Sequence, residues 1–368
     1  MTSTTVPADV QTARTNVSTT NAYAMCHLML ADYAYAGPKT AADAISAITN
    51  TFANLAGVSG STIPAGFPLI DCVWKLVWGP YASGDNSNLM YAAALFDKQS
   101  GLPAWVTIAI RGTNILEENP EGLLNQFAQD LDVGTLLSWP YTTANDNGAQ
   151  LAKGSLDGFQ NKILALGTGK GEAGDIATWL ASFVSDNTDV PVVVTGHSLG
   201  GCQATVLAAY LMSAEAKLTG ATILPNPFAG PTASDVNFAA MYDGLFGTNA
   251  YRWYNTYDLV PAAFEADSFA NIPNMWNGSS YNCGTSYEMG PVDTLAYRRI
   301  ASEISGKTYT QPSAGVQAMA GQCSYGTGMP PTYFKMIELQ HFPPAYKFLM
   351  QKVAGVQWVD YPPAQPPS

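Results

Sequence analysis

Between positions 191 and 201 the chain reads Pro191-Val-Val-Val-Thr-Gly-His-Ser-Leu-Gly-Gly201, and few folds can use such a stretch. A short run of Val suits a strand buried on both faces. Gln203 to Lys217 is rich in Ala and Leu and reads as a helix. The G-x-S-x-G pattern between them, Gly196 to Gly200, allows a sharp strand-to-helix turn in which positions two away from the serine must lack bulk. Ser198 then takes a strained conformation at the carboxyl edge of a sheet. The following helix turns its N-terminal N–H groups and positive dipole end toward the same point, which favours developing negative charge. The setting is that of a serine nucleophile. The alternative is a Gly-rich turn with a capping serine, and the flanking strand and helix argue against it.

The rest of the chain fits the sheet this turn requires. Val73 to Trp78, Leu89 to Phe96, Trp105 to Ile110, Ala221 to Leu224 and Tyr251 to Tyr257 read as strands. Asp97 to Pro103 contains a Gly and suits a hairpin between the second and third. Residues 21–36, 41–56, 156–165, 175–185 and 342–353 read as helices. Strands alternating with helices in the middle of the chain predict an α/β class: a mainly parallel central sheet with helices on both faces. We expect one domain over 1–368, with 361–368 as a frayed Pro-rich tail. Two segments are longer than loops need, 113–142 and 262–340, and are read as a lid and a cap-like insert.

A serine nucleophile needs a base, and the chain has three histidines. His197 adjoins Ser198 and should leave the turn in another direction. His27 lies in the first of these helices and reads as structural. His341, just before the last helix, completes the order Ser, Asp, His along the chain. The acid must orient the imidazole. Asp258 follows an aromatic strand, on the edge where the serine stands. Its competitors are Asp243 at an apparent helix end and Asp267 in the insert. For the oxyanion, the N–H of Leu199 and a donor at the end of the Trp105 strand are expected, with Thr113 offering both N–H and hydroxyl. Arg111 reads as structural, paired with a nearby carboxylate.

Composition removes several alternatives. The formal net charge is -12, which repels phosphate backbones and speaks against nucleic-acid binding. No apolar run reaches the ~18 residues that span a bilayer. The polar first 21 residues lack a signal-peptide pattern, so a cytoplasmic chain or one with its signal removed is expected. The five cysteines, Cys26, Cys72, Cys202, Cys283 and Cys323, have no metal-ligand spacing with the histidines. Cys283 and Cys323 bracket a Gly-rich segment and could be bridged, although separate thiols are the default.

At these residues the chain resembles the class 3 lipase family of fungal-type triacylglycerol lipases. Ile110-Arg-Gly-Thr113 is similar to the oxyanion strand end of that family, and Gln129 to Val133 and Lys153 to Phe159 to the segments after its lid. Gly196-His-Ser-Leu-Gly-Gly201 is similar to its elbow, Phe228-Ala-Gly-Pro231 to the strand after the elbow helix, and Asn255-Thr-Tyr-Asp-Leu-Val-Pro261 to its acid motif. The resemblance implies an α/β-hydrolase fold and ester hydrolysis without cofactor or metal. It implies Ser198 as nucleophile, Asp258 as acid, His341 as base, and Thr113 with Leu199 as oxyanion donors. Asp258 and His341 stand 83 positions apart, longer than the family pattern.

The implied substrate is an acylglycerol or related lipid ester. A phospholipid or aromatic (feruloyl-type) ester is the first alternative, and an acyltransferase, a peptidase or a non-catalytic binding module follow. In Ile115 to Trp139, Leu116, Leu123, Leu124, Phe127 and Leu131 recur at helical spacing opposite Glu117, Glu118 and Glu121. Such a helix could cover the pocket in water and open in transient contact with a lipid interface. The other reading is an ordinary surface helix.

Overall fold

The computed structural model describes residues 6–17, 21–37, 40–57, 71–112, 131–169, 174–277, 283–284, 286–326 and 328–355. Seven strands form the main sheet: β1 (Cys72–Ala82), β2 (Leu89–Asp97), β3 (Pro103–Ile110), β6 (Val192–His197), β7 (Ile223–Phe228), β8 (Arg252–Asn255) and β9 (Val316–Met319), in that spatial order. The first two pairings are antiparallel and the four from β3 onward are parallel. A separate hairpin pairs β4 (Leu136–Ser138) with β5 (Gln150–Ala152). This is the α/β-hydrolase arrangement, a mostly parallel sheet flanked by helices.

The Val run explains why β6 lies at the centre. Val192 and Val194 join one apolar cluster, and Val193 joins another on the opposite face. The first cluster packs under α4 (Lys153–Gly158), α5 (Ile176–Asp186), α6 (Leu199–Leu211) and α7 (Val236–Phe246). The second packs under α1 (Ala8–Asn16), α2 (Asn21–Tyr33) and α3 (Ala41–Gly57). Both faces of the strand are therefore dry, which suits a parallel sheet.

Several expected boundaries move. The helix expected over 203–217 starts at Leu199 and ends at Leu211, followed by a 3-10 turn at Ala214–Ala216. It starts earlier because the elbow is itself the N-terminus. Past its end, the Glu215 carboxylate accepts the Thr142 N–H and hydroxyl. The helix expected over 156–165 divides into α4 and a π-helical turn, Phe159–Ile163. The segment expected to hold few elements contains α8 (Ala266–Ala270), α9 (Pro291–Ile304), β9 and α10 (Tyr333–His341), before α11 (Pro343–Ala354). Cys283 and Cys323 are joined by a disulfide across this insert, against the default of separate thiols, while Cys26, Cys72 and Cys202 are free and buried.

Of the expected lid, 113–130 lie outside the described residues, as does the tail 361–368. The remainder, 131–142, is packed in place. Leu131 and Val133 are buried with Leu259 and Val260, and β4 is held by β5. Leu131 therefore serves a core rather than the apolar face of a mobile helix.

His27, on α2, is fully buried, with Nδ1 3.3 Å from the Thr107 hydroxyl. Burial pushes it down to about 3. In the unfolded chain it titrates near ~6.5. Between these values only the unfolded state takes up the proton. Stability therefore falls as pH drops through the window and the loss levels off below about 3. His197 is shifted in the same direction, so replacing His27 reduces this slope without abolishing it. In urea titrations at about pH 6.5 and 4.5, His27→Leu is expected to lose up to about 3 kcal/mol less than the parent, at about 1.4 kcal/mol per pH unit. Equal losses in both proteins would remove His27 from the acid response.

Candidate active site

Ser198 caps α6 with φ 61 and ψ -131, a backbone conformation rarely adopted by residues with side chains. Its N–H bonds to the Phe228 carbonyl of β7 at 3.0 Å, which pins the turn to the neighbouring strand. The elbow leaves no space at its flanks. A Cβ on Gly196 would meet the Gly200 carbonyl and lie 2.7 Å from the Ile110 oxygen. The strand-turn-helix order read from the sequence is thus present.

His341 ends α10, and its ring reaches the elbow. Its Nε2 lies 2.8 Å from Ser198 Oγ and its Nδ1 2.8 Å from Asp258 Oδ2. The carboxylate can only accept, so Nδ1 carries the proton and Nε2 is left to accept from the serine hydroxyl. Asp258 sits in the turn after β8. Its own N–H bonds to Asn255 O at 3.0 Å, and its Oδ1 accepts the Val260 N–H at 2.9 Å. Ser198, Asp258 and His341 are all at most 3% exposed. The chain of contacts joins three residues spread over 143 positions.

Further polar groups surround this chain that sequence reasoning did not single out. The Tyr346 hydroxyl donates to Asp258 Oδ2 at 2.7 Å. His197 does leave the turn away from the serine hydroxyl, as expected. Its Nε2–H donates to the His341 carbonyl at 2.8 Å, and Tyr35 OH lies 3.2 Å from its Nδ1. Burial first, and then the neighbouring His341, hold His197 well below the usual histidine range. It is neutral, and its single N–H is spent on holding the His341 main chain. Asn255 Nδ2 donates to the backbone oxygen of Gln340, at 2.8 Å, and to its Oε1, at 2.9 Å. A tyrosine five residues after His341 has no sequence pattern of its own, and the Asn255 to Gln340 pairing spans 85 positions.

The competing acids have other occupations. Asp243, within α7, accepts the Ser313 and Ala314 N–H groups. Asp267 stands in the first turn of α8. Arg111 departs from expectation. Its guanidinium bonds to the backbone and side-chain oxygens of Asn86, and among the described residues no carboxylate pairs with it.

Of the two expected oxyanion donors, Thr113 lies outside the described residues. Leu199 is the first residue of α6, where N–H groups have no partner within the helix. A Cβ at Gly112 would lie 2.5 Å from the His197 carbonyl and 3.1 Å from Ser198 Cβ, so this strand end is pressed against the elbow. Among the described residues no cluster of His, Cys, Asp and Glu is placed to hold a metal ion, and no helix is long and apolar enough to cross a membrane.

The fold and the sequence comparisons together define a carboxylic ester hydrolase of the α/β-hydrolase class. The model of the family described as lipase (class 3) matches residues 107–268, from within β3 into α8. The match and the fold support a lipase-type ester hydrolase, and the matching family implies lipid ester substrates. The crystal structure of M37 lipase is similar at 22% identity and a TM-score of 0.71, over 88% of this chain and 91% of that one, which supports the fold. The non-glycosylated LIP2 lipase of Yarrowia lipolytica is similar at 19% identity and a TM-score of 0.39, over 65% and 73%. The lipase of Rhizopus microsporus var. chinensis is similar at 18% and 0.37, over 58% and 67%. No curated protein sequence matches the chain.

Proposed function

We propose that Ser198, His341 and Asp258 are the catalytic triad and that the protein cleaves acylglycerol or related lipid esters through an acyl-enzyme. The observation that carries this reading is the unbroken chain from the Ser198 hydroxyl through both ring nitrogens of His341 to the Asp258 carboxylate, each step 2.8 Å. His341 Nε2 takes the serine proton as Oγ attacks the ester carbonyl. Asp258 holds the ring tautomer and stabilises the imidazolium. The Leu199 N–H, with Thr113 as the second donor, receives the oxyanion, each worth on the order of 3 kcal/mol. His341 then protonates the departing alcohol. A water enters, loses its proton to the same nitrogen and releases the acid.

An apolar groove beside the helix that ends at His341 suits a lipid substrate. A groove of about 660 Å³ runs along α10 and α11, lined by Met329, Pro330, Leu339, Phe342 and Phe348 among others. Leu295 and Val292 at the start of α9 and Met329 are exposed. The expected lid over 113–142 rests on the sequence pattern. A series of p-nitrophenyl esters from acetate to palmitate tests both points. The specificity constant is expected to rise with chain length, and the rate to climb further once a substrate passes its solubility limit. A preference for acetate would remove the lipid reading. A rate that is flat across the solubility limit would remove the lid.

A further inference from the structure

The base stands far from the acid in sequence, and no strand carries it, so something must set its position. The residue before it, Gln340, is fully buried, and its whole amide is engaged. Oε1 accepts from Asn255 Nδ2 at 2.9 Å and from the Tyr325 hydroxyl at 2.8 Å. Nε2 donates to the Gln322 carbonyl at 2.7 Å, and the backbone oxygen accepts the second Asn255 contact at 2.8 Å. Asn255 is the last residue of β8 and is equally buried. Its Oδ1 accepts the Tyr257 N–H at 3.0 Å and its backbone oxygen the Asp258 N–H at 3.0 Å, so it shapes the turn that presents the acid. One side chain thus grips both the acid turn and the neighbour of the base.

The 321–326 loop completes the grip. The Gly321 N–H bonds to Thr256 Oγ1 at 3.0 Å, and a Cβ there would lie 2.6 Å from the Tyr257 ring. The loop therefore lies directly on the acid turn. It supplies Gln322 and Tyr325 to Gln340, and Cys323 ties it to Cys283 across the insert.

We propose that Gln340 is a positioning residue: clamped by Asn255 on the acid strand and by Gln322 and Tyr325 on the disulfide-tethered loop, it sets the His341 ring between Asp258 and Ser198. This rests on the triad reading above. It assigns the insert a part in catalysis. A ring displaced by a fraction of an ångström still binds substrate but transfers the proton poorly, so kcat should fall while KM holds.

Two variants test it. Gln340→Met keeps the length of the side chain and removes the amide. Tyr325→Phe removes one hydroxyl at the edge of the network and keeps the protein foldable if the first variant is not. On a soluble p-nitrophenyl ester, kcat is expected to fall about 10- to 100-fold in Gln340→Met and about 3- to 10-fold in Tyr325→Phe. KM should stay within about twofold in both. The low-field proton resonance of the His341 Nδ1–H, identified by its absence in His341→Gln, should shift or broaden in both. An unchanged kcat in either folded variant, or a kcat that falls only with the folded fraction while the resonance stays in place, overturns the proposal. Ser198→Ala is measured beside them. If it is as active as the parent, the triad reading fails. If it is inactive while Gln340→Met is unimpaired, only the positioning role fails.

Discussion

Ser198→Ala is expected to lower kcat on a soluble p-nitrophenyl ester by about 10⁶, with little change in KM. The variant removes only Oγ, and the Cβ that already occupies the strained position at φ 61 stays in place. The sheet and the elbow should therefore survive, and urea denaturation should match the parent. The loss arises because His341 Nε2, 2.8 Å away, has no hydroxyl left to deprotonate. The same geometry predicts how a second substitution behaves. In the proposed triad, base and nucleophile act on one proton, so His341→Ala added to Ser198→Ala should cost almost nothing more. The residual rate, about 10³ to 10⁴ above water, should come from the oxyanion donors and binding alone. If the double variant is slower than both single ones by another large factor, the two residues do not work as one unit. If Ser198→Ala keeps even a tenth of the activity, the nucleophile is elsewhere.

How much of this site could be read from sequence depends on how far each contact reaches. The elbow is local: a strand, a turn and a helix within twenty residues, each with its own pattern. Asp258 is legible because it follows an aromatic strand, and His341 because elimination leaves little else. The surrounding network has no such signal. Asn255 meets Gln340 across 85 positions and Tyr346 reaches Asp258 across 88, and no periodicity links them. The insert was opaque for a related reason. β9 exposes the apolar Val316 and Ala318 and half-buries Gln317, so its sequence lacks the apolar–polar alternation that would mark its buried face. The disulfide pairs two cysteines on separate loops of the insert, brought within 5.4 Å at their Cα atoms by packing alone. Arg111 shows the limit of the electrostatic reasoning. Its position at the strand end is as expected, but backbone and amide oxygens of Asn86 receive it where a carboxylate was expected.

Gly200→Ala is expected to damage both the fold and the activity. A Cβ at this position would run into the Ile110 carbonyl and lie 2.7 Å from Arg111 C and 2.8 Å from Gly112 N. These are backbone atoms at the end of β3, so no side chain can rotate away. Relief requires α6 to move off the sheet or β3 to peel from β6, where Ile110 pairs with Gly196. Overpacking a dense core costs about 1–3 kcal/mol even when side chains can yield, so the upper end or beyond is expected here. The damage should exceed the stability loss. The displaced atoms lead directly to the strand end expected to carry an oxyanion donor, and losing one such donor costs about 10²- to 10³-fold in kcat. The urea midpoint gives the first effect, and turnover per molecule titrated with a fluorophosphonate gives the second. Gly244→Ala, in α7 with open space around the added carbon, serves as the control and should gain up to about 1 kcal/mol from helix propensity. If Gly200→Ala is as stable and as active as that control, helix and strand do not meet as tightly as the elbow requires.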